Sequence, residues 1–484
     1  MSTFSNNVLK LVSGSLIAQL LGICLIPVIT RLYSPEDFGI LQLFTSISGI
    51  AAIIACFSYQ LSIMLPKNDE ESVNIFGLCI ILLVITSTII GIIFLVFANQ
   101  ISEILNSPQL SAYLFLIPIA VFLNGLLLIM NYWLSRRIRF GVIAAASVSN
   151  TIFNKLVQIV ATTGSISPFG LILGSILGNA AANIIMLSEI KKELYLFKHI
   201  SIKKIKELAI RYKKFPIYTS WSTFANEISR QVPSFMLAFF YSTNVVGYYS
   251  LAYLAVNLPM SMIGSAVSQV FFQKASEEKN RTGYVKQTVS EVHKRLMSLI
   301  IGPMILILII GDNIFSFTFG PEWTIAGVYA KILIPWIFLM FLSSPLTTLF
   351  SILEIQEVGL IFDLGLLFLR LIVLYIGGIY GNPYFTLLLY SLTGAIFCGI
   401  MNYIILKKSH VSCKDELFVA AKLLCISGLI FIPVCITKYI TQMTYIILFV
   451  ASIALLIYYI VIIFEDSTLK EFFTNTRFLK KYNR

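Results

Sequence analysis

About fourteen apolar runs of roughly 20 residues each follow one another along the chain, separated by short polar breaks. As a helix, each run is long enough to cross the roughly 30 Å hydrocarbon layer of a bilayer. Of the 484 residues, 58% are hydrophobic and 12% are charged, and this charged share is about half of that in a soluble domain. The sequence therefore predicts an all-α polytopic membrane protein with about 14 transmembrane helices.

The distribution of Lys and Arg predicts the orientation of these helices. With the N-terminus placed in the cytoplasm, 28 of the 35 Lys and Arg residues fall in the N-terminal segment, the even-numbered connections and the C-terminal tail. The other side receives only Arg31 and Lys438, and five more lie within predicted helices. Because positive charge concentrates on the cytoplasmic side, we expect both termini to be cytoplasmic.

A basic linker runs from Lys191 to Lys214 and separates the first six apolar runs from the rest. Nine Lys and Arg residues stand there against two Glu, with apolar residues recurring at helical spacing at Ile202, Ile205 and Leu208. This pattern is typical of a basic amphipathic helix on an anionic membrane surface. Calmodulin or nucleic-acid binding fits the charges less well, because hydrophobic runs flank the linker on both sides. We expect no nucleic-acid partner.

An internal repeat places two similar segments 208 positions apart. Tyr33, Ser34 and Gly39 align with Tyr241, Ser242 and Gly247. Each set lies between the first and second helices of its half. Since six helices separate the copies, both halves start from the cytoplasm, and the repeats are parallel. The predicted architecture is two parallel six-helix bundles around a central cavity, followed by a C-terminal helix pair.

This architecture divides the chain into four parts. They are an N-terminal six-helix bundle (1–190), the basic cytoplasmic linker (191–214), a second six-helix bundle (215–408), and two further transmembrane helices with a basic cytoplasmic tail (409–484).

No motif indicates a cofactor or a metal site, because the seven cysteines lack CxxC spacing and the three histidines form no ligand pair. The predicted external connections are all short, the longest running from Ala98 to Gln109. They are too short to fold into a catalytic domain, so we do not expect an enzyme. The short connections also argue against a membrane polysaccharide polymerase, because such an enzyme normally presents a large external loop.

The opening of the chain resembles that of a known family. The resemblance is carried by Ile26-Pro27-Val28-Ile29-Thr30-Arg31-Leu32-Tyr33-Ser34-Pro35-Glu36-Asp37-Phe38-Gly39, followed by Tyr59-Gln60-Leu61-Ser62-Ile63-Met64-Leu65-Pro66. Both segments are similar to the first helices of the Wzx-type oligosaccharide flippases of O-antigen and capsule synthesis. These flippases share a superfamily with the multidrug and toxin extruders and the lipid II flippase.

The resemblance implies a transporter of undecaprenyl-diphosphate-linked oligosaccharide in a bacterial inner (cytoplasmic) membrane. It would move this cargo from the cytoplasmic to the periplasmic leaflet by alternating access, for O-antigen or capsule polysaccharide synthesis. Its partners would be the lipid-linked saccharide, membrane lipids and other polysaccharide assembly proteins. Nothing in the sequence identifies the sugar.

The seventh apolar run carries a polar stripe at three- and four-residue spacing. Its members are Ser220, Thr223, Glu227, Arg230 and Ser234, with Gln231 beside them. Ionisable groups inside a membrane are costly enough to indicate function, although a structural Glu227–Arg230 ion pair is the open alternative.

Further polar residues lie in the fifth and sixth runs. Asn154, Lys155 and Gln158 belong to the fifth, and Asn179 and Asn183 to the sixth. The amides fit either a saccharide-binding wall or interhelical hydrogen bonding.

Of the five cations within predicted helices, Lys422 lies near a helix end and is expected to reach the cytoplasmic headgroups. The other four, Lys155, Arg230, Lys331 and Arg370, stand against the carboxylates Glu227 and Asp363. This surplus of positive charge predicts a mobile anion, and the four cations are our candidate ligands of a diphosphate. Glu227 and Asp363, together with the four amides, are the candidate groups for the saccharide or a coupling ion.

Two questions stay open on the sequence alone. A small-molecule efflux transporter of the same superfamily is the main alternative function, but cationic drugs call for surplus acid within the membrane. The energy source is a proton or sodium ion taken up by Glu227 or Asp363, or the membrane potential acting on an anionic cargo.

Overall fold

The computed structural model describes residues 3–162, 167–441 and 443–465, and within these ranges the chain is helical and contains no strand. The fourteen long helices are α1 (Thr3–Thr30), α2 (Pro35–Ala55), α3 (Asp69–Ile104), α4 (Ile117–Arg136), α5 (Phe140–Ala161), α6 (Phe169–Ile190), α7 (Ser220–Phe240), α8 (Thr243–Thr282), α9 (Lys286–Phe319), α10 (Thr324–Ser343), α11 (Gln356–Tyr380), α12 (Pro383–Lys408), α13 (Cys413–Ile440) and α14 (Thr444–Glu465). The predicted fold class is therefore confirmed.

Among the described helices, 13 are long and apolar enough to cross a membrane. The exception is α7, because the polar stripe predicted for it lowers its hydropathy. The chain divides into two compact units, Met1–Leu251 and Ala252–Arg484, and the boundary falls within α8.

The corner between α1 and α2 shows why the opening motif has its sequence. Ser34 caps α2 by accepting from the Asp37 amide at 3.2 Å, and its own amide donates to Asp37 Oδ2 at 2.9 Å. Pro35 occupies the first helical position, where no amide hydrogen is needed. Tyr33 Oη donates to the Gln158 carbonyl at 2.6 Å, and burial, aided by Asp37, raises the pKa of Tyr33 to about 12. The phenol therefore stays protonated and attaches the corner to α5.

The first unit is built on close contacts between small residues. Helix α5 packs along α6, where Gly174 and Gly178 lie against the backbone of Asn154 and Asn150. These glycines follow each other at a four-residue spacing, which allows two helix backbones to approach closely inside a membrane. Helix α1 packs on α5, while α2 packs on α4 and α7.

The two copies of the repeated segment touch each other at the start of α2 and of α8. A methyl group on Gly39 would overlap the carbonyl oxygen of Thr243, and one on Gly247 would overlap the carbonyl oxygen of Pro35. Thr243 and Gly247 are the 208-position counterparts of Pro35 and Gly39. The contact is thus reciprocal, as an approximate two-fold relation between the copies requires.

The basic linker forms the expected amphipathic helix at Ile202–Arg211, but its apolar side faces protein. Ile205 and Leu208 are buried, the helix packs on α3, and Ile202 stays 84% exposed. The expectation of a helix lying on lipid by its apolar face is therefore wrong for Ile205 and Leu208. The periodicity of the sequence showed that this face must be covered, but it could not show whether lipid or protein covers it.

The acidic start of α3 holds the linker in place. Lys204 Nζ lies 3.0 Å from Glu70 Oε2, and Arg211 lies 3.1 Å from Glu71 Oε2. The Asn74 side chain donates to the His199 carbonyl at 3.1 Å. Both ion pairs are exposed and screened by water, so the covered apolar face supplies most of the attachment.

In the second unit, α13 and α14 hold α9 at several levels. His293 Nδ1 lies 2.9 Å from Glu416 Oε2 near the start of α9, and Tyr458 Oη donates to the Ser298 carbonyl at 2.7 Å. Near its other end α9 is interrupted at Ile310, whose φ of −125° and ψ of 22° are not helical. Lys438 from α13 donates to the preceding carbonyl, that of Ile309, at 2.8 Å. The C-terminal helix pair therefore supports both parts of this kinked helix.

Candidate functional site: a polar seam and cavity in the first unit

Helices α2 and α7 meet along a line of hydrogen bonds, which we call the polar seam (Gln42, Ser46, Glu227 and Gln231). Gln231 Nε2 donates to Glu227 Oε1 at 2.7 Å, and Ser46 Oγ donates to Gln231 Oε1 at 2.7 Å. Gln42 Nε2 continues the line to Ser46 Oγ at 3.1 Å. The stripe predicted on α7 is therefore matched by polar residues four apart on α2. Sequence reasoning missed Gln42 and Ser46, although their i, i+4 spacing was a usable signal.

Glu227 and Arg230 differ in how far they are exposed. Arg230 Nη1 lies 3.5 Å from Glu227 Oε2, a loose ion pair on one helix face. The Glu227 side chain is 18% exposed and also accepts from Gln231, whereas the Arg230 side chain is 66% exposed. Arg230 lies beside the exposed residues Thr223 and Asn226 on the same flank of α7. Its guanidinium is thus accessible to a ligand while Glu227 is held by the seam.

A cavity of about 470 Å³ lies among α2, α4 and α6, and we call it the polar cavity for the side chains named next, although apolar residues such as Phe44 and Leu128 also line it. Thr45, Ser48, Asn124, Ser175 and Asn179 supply its polar lining. Gly49 also lines it, and a methyl group added there would lie 3.9 Å from Glu227 Oε1, so the cavity adjoins the seam.

The amides at this cavity form a chain that joins three helices. Asn150 Nδ2 on α5 donates to Asn179 Oδ1 at 2.7 Å, and Asn179 Nδ2 donates to Asn124 Oδ1 at 2.9 Å. Asn124 and Asn150 were not among the residues predicted from sequence. The chain fixes the orientation of each amide, as a site for hydroxyl-rich ligands requires.

The other predicted amides lie between helices. Gln158 is buried and donates to the Leu171 carbonyl at 3.3 Å. Asn183 is buried and donates to the carbonyls of Leu123 and Asn179 at 3.0 and 2.9 Å. Asn154 packs against Gly174 and Gly178. Of the four predicted amides, Asn179 is the one that lines the cavity, and the contacts of the other three are those of interhelical packing.

Lys155 has an amide rather than a carboxylate as its partner. Its Nζ donates to Gln158 Oε1 at 3.2 Å, and within the described residues it forms no ion pair. An amide oxygen carries no charge to balance the ammonium group, so this position is suited to a bound anion.

The two cations of the second unit have different surroundings. Arg370 is 9% exposed, and its guanidinium carbon lies 5.2 Å from the centre of the Trp336 ring and 5.6 Å from that of Tyr390. Lys331 Nζ donates to Asp312 Oδ1 at 2.5 Å, and Lys438 Nζ donates to the same oxygen at 2.9 Å. Both cations thus have protein partners.

Asp312 corrects the charge count made from sequence. Only Glu227 and Asp363 were set against the intramembrane cations, but Asp312 also lies within α9 and pairs with Lys331 and Lys438. Lys438 then counts as a fifth cation and Asp312 as a third carboxylate, so the predicted surplus of two positive charges is unchanged. The Asp363 side chain lies outside the described residues. Among the residues that are described, no group of His, Cys, Asp and Glu could hold a metal ion.

The helices and the polar intramembrane cavity define a multi-pass membrane protein with room for a polar solute. The chain belongs to the family described as polysaccharide biosynthesis protein, whose model matches residues 28–327, more than half of its length. Among curated proteins, none matches the chain significantly.

Solved structures show that the fold is shared with known transporters. The lipid II flippase MurJ in an inward closed conformation superposes with a TM-score of 0.72 at 16% identity, covering 94% of this chain and 99% of that one. An inward-facing multidrug resistance MATE transporter of the MOP superfamily gives a TM-score of 0.64 at 14% identity, covering 81% and 94%.

A third structure is a MOP superfamily transporter from Pyrococcus furiosus, with a TM-score of 0.56 at 12% identity, covering 84% of this chain and 96% of that one. The binding pocket of that transporter is described as reversed in polarity, which suggests a different function. The family and the shared fold confirm the resemblance to the oligosaccharide flippases and their superfamily.

Proposed function

We propose that the protein is a flippase for undecaprenyl-diphosphate-linked oligosaccharide, which it moves from the cytoplasmic to the periplasmic leaflet by alternating access. The observation that carries the proposal is the exposed Arg230 guanidinium on α7, whose ion-pair partner Glu227 adjoins a cavity that contains amide and hydroxyl groups. A diphosphate needs a charged, preferably bidentate donor, and a saccharide needs oriented amides and hydroxyls. The first unit offers both kinds of group.

The proposed roles of the cations follow from their exposure and partners. Arg230 is the main ligand of the diphosphate because its guanidinium is accessible. Lys155 adds positive charge that no carboxylate among the described residues neutralises. Lys331 and Arg370 are weaker candidates, since Asp312 holds the first and aromatic rings cover the second.

The saccharide is proposed to occupy the amide-lined cavity. Asn179 and Asn124 would contact its hydroxyl groups, while Asn154, Gln158 and Asn183 hold the surrounding helices together. Transport rather than chemistry is proposed for this site, because its described lining contains no His, Cys or carboxylate that could activate the hydroxyls of Thr45, Ser48 and Ser175. We therefore propose that the protein is not an enzyme.

The setting of this transporter is part of the same proposal. It would lie in a bacterial inner membrane with both termini in the cytoplasm, serve O-antigen or capsule synthesis, and work with other polysaccharide assembly proteins. The four-part division at residues 190, 214 and 408 describes the two repeats, the linker and the C-terminal pair. Proton or sodium coupling through Glu227 or Asp363, and drive by the membrane potential, remain the two alternatives for energy.

Small-molecule efflux is the second candidate, favoured by the fold shared with MATE transporters. Shared fold does not decide the substrate, so the site must. An exposed Arg230 and a Lys155 without a carboxylate favour an anionic cargo over cationic drugs.

Deletion of the gene in its own host tests the proposal. We expect lipid-linked saccharide to accumulate on the cytoplasmic leaflet. A glycosidase added to the outside of spheroplasts should then not cleave it. Expression of the intact protein should make the saccharide accessible to the added glycosidase again. If the saccharide reaches the outer leaflet at an unchanged rate without the protein, while sensitivity to cationic drugs rises, efflux is the function. A reporter that is active only in the periplasm should be inactive when it is fused at residue 200, because the proposed orientation places this residue in the cytoplasm.

A further inference from the structure

A second cavity of about 470 Å³ lies on the other side of the seam, among α2, α3 and α7, and we call it the apolar groove. Ile47, Ile50 and Ile54 of α2, Ile90 of α3 and Phe224 of α7 line it. Thr86 is the one polar side chain in the described lining, and its hydroxyl already donates to the carbonyls of Ala55 and Leu82 at 3.0 and 2.8 Å. The groove therefore has no polar group to offer and suits a hydrocarbon.

Helix α2 separates the polar cavity from the apolar groove. Thr45, Ser48 and Gly49 line the cavity, whereas Ile47 and Ile50 line the groove. Because successive residues of a helix are turned by about 100°, these two sets lie on different sides of α2. The edge between them is the line of Gln42 and Ser46, which bonds to α7.

Helix α7 is divided in the same way. Glu227 and Gln231 bond within the seam, Phe224 and Phe235 line the groove, and Arg230 is exposed. The polar seam is thus a thin boundary with polar space on one side and apolar space on the other. Its hydrogen bonds join side chains, so it can open without unfolding either helix.

We propose that the apolar groove holds the first isoprene units of the cargo's prenyl tail while the headgroup occupies the polar cavity. This inference rests on the proposed function. A prenyl diphosphate has an anionic head joined to a single narrow hydrocarbon tail. In this proposal the tail crosses the seam between α2 and α7 on its way from the polar cavity to the apolar groove. The rest of the tail would extend into lipid along α3, where Ile89 and Leu95 are exposed.

An ordinary phospholipid fits this arrangement less well. Its two acyl chains meet at a glycerol unit that is wider than the chain of a prenyl diphosphate. Its headgroup lacks the saccharide for which the oriented amides of the cavity are suited. The groove is therefore assigned to the branched single tail of the cargo rather than to bulk lipid.

Binding measurements on the purified full-length protein test this assignment with two probes that share a head, undecaprenyl diphosphate and dimethylallyl diphosphate. Ala51→Phe fills the groove, and Ile457→Phe at an exposed position of α14, away from the proposed path of the tail, is the matched control. We expect Ala51→Phe to weaken binding of the long-tailed probe about tenfold, the effect of removing about two buried methylene groups. The short-tailed probe should bind as before, and Ile457→Phe should change neither affinity.

Crosslinking provides a second measurement that does not depend on Ala51→Phe folding. With p-benzoylphenylalanine in place of Phe224, irradiation should attach undecaprenyl diphosphate, and excess phosphatidylethanolamine should not compete. Equal competition by the phospholipid, or unchanged long-tail binding in Ala51→Phe, would overturn the groove assignment and leave the flippase proposal standing. If the unmodified protein binds neither diphosphate, the proposed function itself fails.

Discussion

Gly39 lies against the backbone carbonyl of Thr243, and at the equivalent place in the second repeat Gly247 lies against the backbone carbonyl of Pro35. A backbone carbonyl cannot rotate away as a flexible side chain can. The two glycines therefore allow the starts of α2 and α8 to touch. Any larger residue would hold this corner apart.

Gly39→Ala and Gly247→Ala should consequently have similar effects, with transport falling about tenfold or more because the closed corner no longer forms. The control is Gly141→Ala, since Gly141 has no atom within 4 Å of an added methyl group. The check is export of lipid-linked saccharide, together with thiol labelling of Ser242→Cys, which should increase in both variants. Normal export with unchanged labelling would show that the corner is free to relax.

Substitution of Arg230 should reduce transport far more than protein abundance. Arg230→Lys should retain part of the export, because it keeps the charge but loses the bidentate guanidinium, and Arg230→Ala should abolish it. Glu227 still accepts from Gln231 in Arg230→Ala, so the loss of the loose ion pair should cost no more than about 1 kcal/mol.

The double variant Arg230→Ala with Glu227→Ala separates the two roles of Arg230. If Arg230 serves only to neutralise Glu227, removing both side chains should restore export. We expect no restoration, because the diphosphate ligand is still missing. Full export from the double variant would leave Lys155, Lys331 and Arg370 as the remaining candidates.

Asp312→Asn should destabilise the second unit by about 1–3 kcal/mol. It leaves Lys331 and Lys438 without their shared carboxylate, and these side chains are partly exposed, so the cost stays below that of a fully buried pair. Thermal unfolding in detergent measures the change, with Glu322→Gln at an exposed position of the short 3-10 helix Pro321–Trp323 as the control. An unchanged melting temperature would mean that the two lysines find other acceptors.

Single alanine substitutions at Lys204 or Arg211 should leave cleavage of the linker nearly unchanged, because both ion pairs are exposed. Leu208→Asp should do much more, since it places a charge on the covered side of the linker helix. Limited proteolysis of the linker is the measurement, and Ile202→Asp on its exposed side is the control. Equal cleavage of the two Asp variants would argue against docking on α3.

Much of the fold could be predicted because a bilayer imposes a length on each helix. The apolar runs located fourteen helices, and even the polar α7 could be placed from its position between the linker and α8. The reciprocal contact of Gly39 and Gly247 agrees with the 208-position repeat found by shifting the sequence.

The candidate site could be predicted only in part, because its geometry depends on contacts between distant segments. The stripe on α7 was visible, but Ser46 lies 185 positions from Gln231, and Asn124 lies 55 from Asn179. Periodicity on one helix does not say which neighbour it meets. The same limit explains why Gln158 and Asn183 could not be distinguished beforehand from ligands of a sugar.

The three attachments of α9 to the C-terminal helix pair have a mechanical consequence. Bonds at Glu416, Tyr458 and Lys438 hold this helix near both ends and along its length, including the carbonyl left open by its bend at Ile310. The three helices should therefore turn as one rigid lever, so a spectroscopic label on α14, away from the cargo path, would report the swing of α9 during each transport cycle.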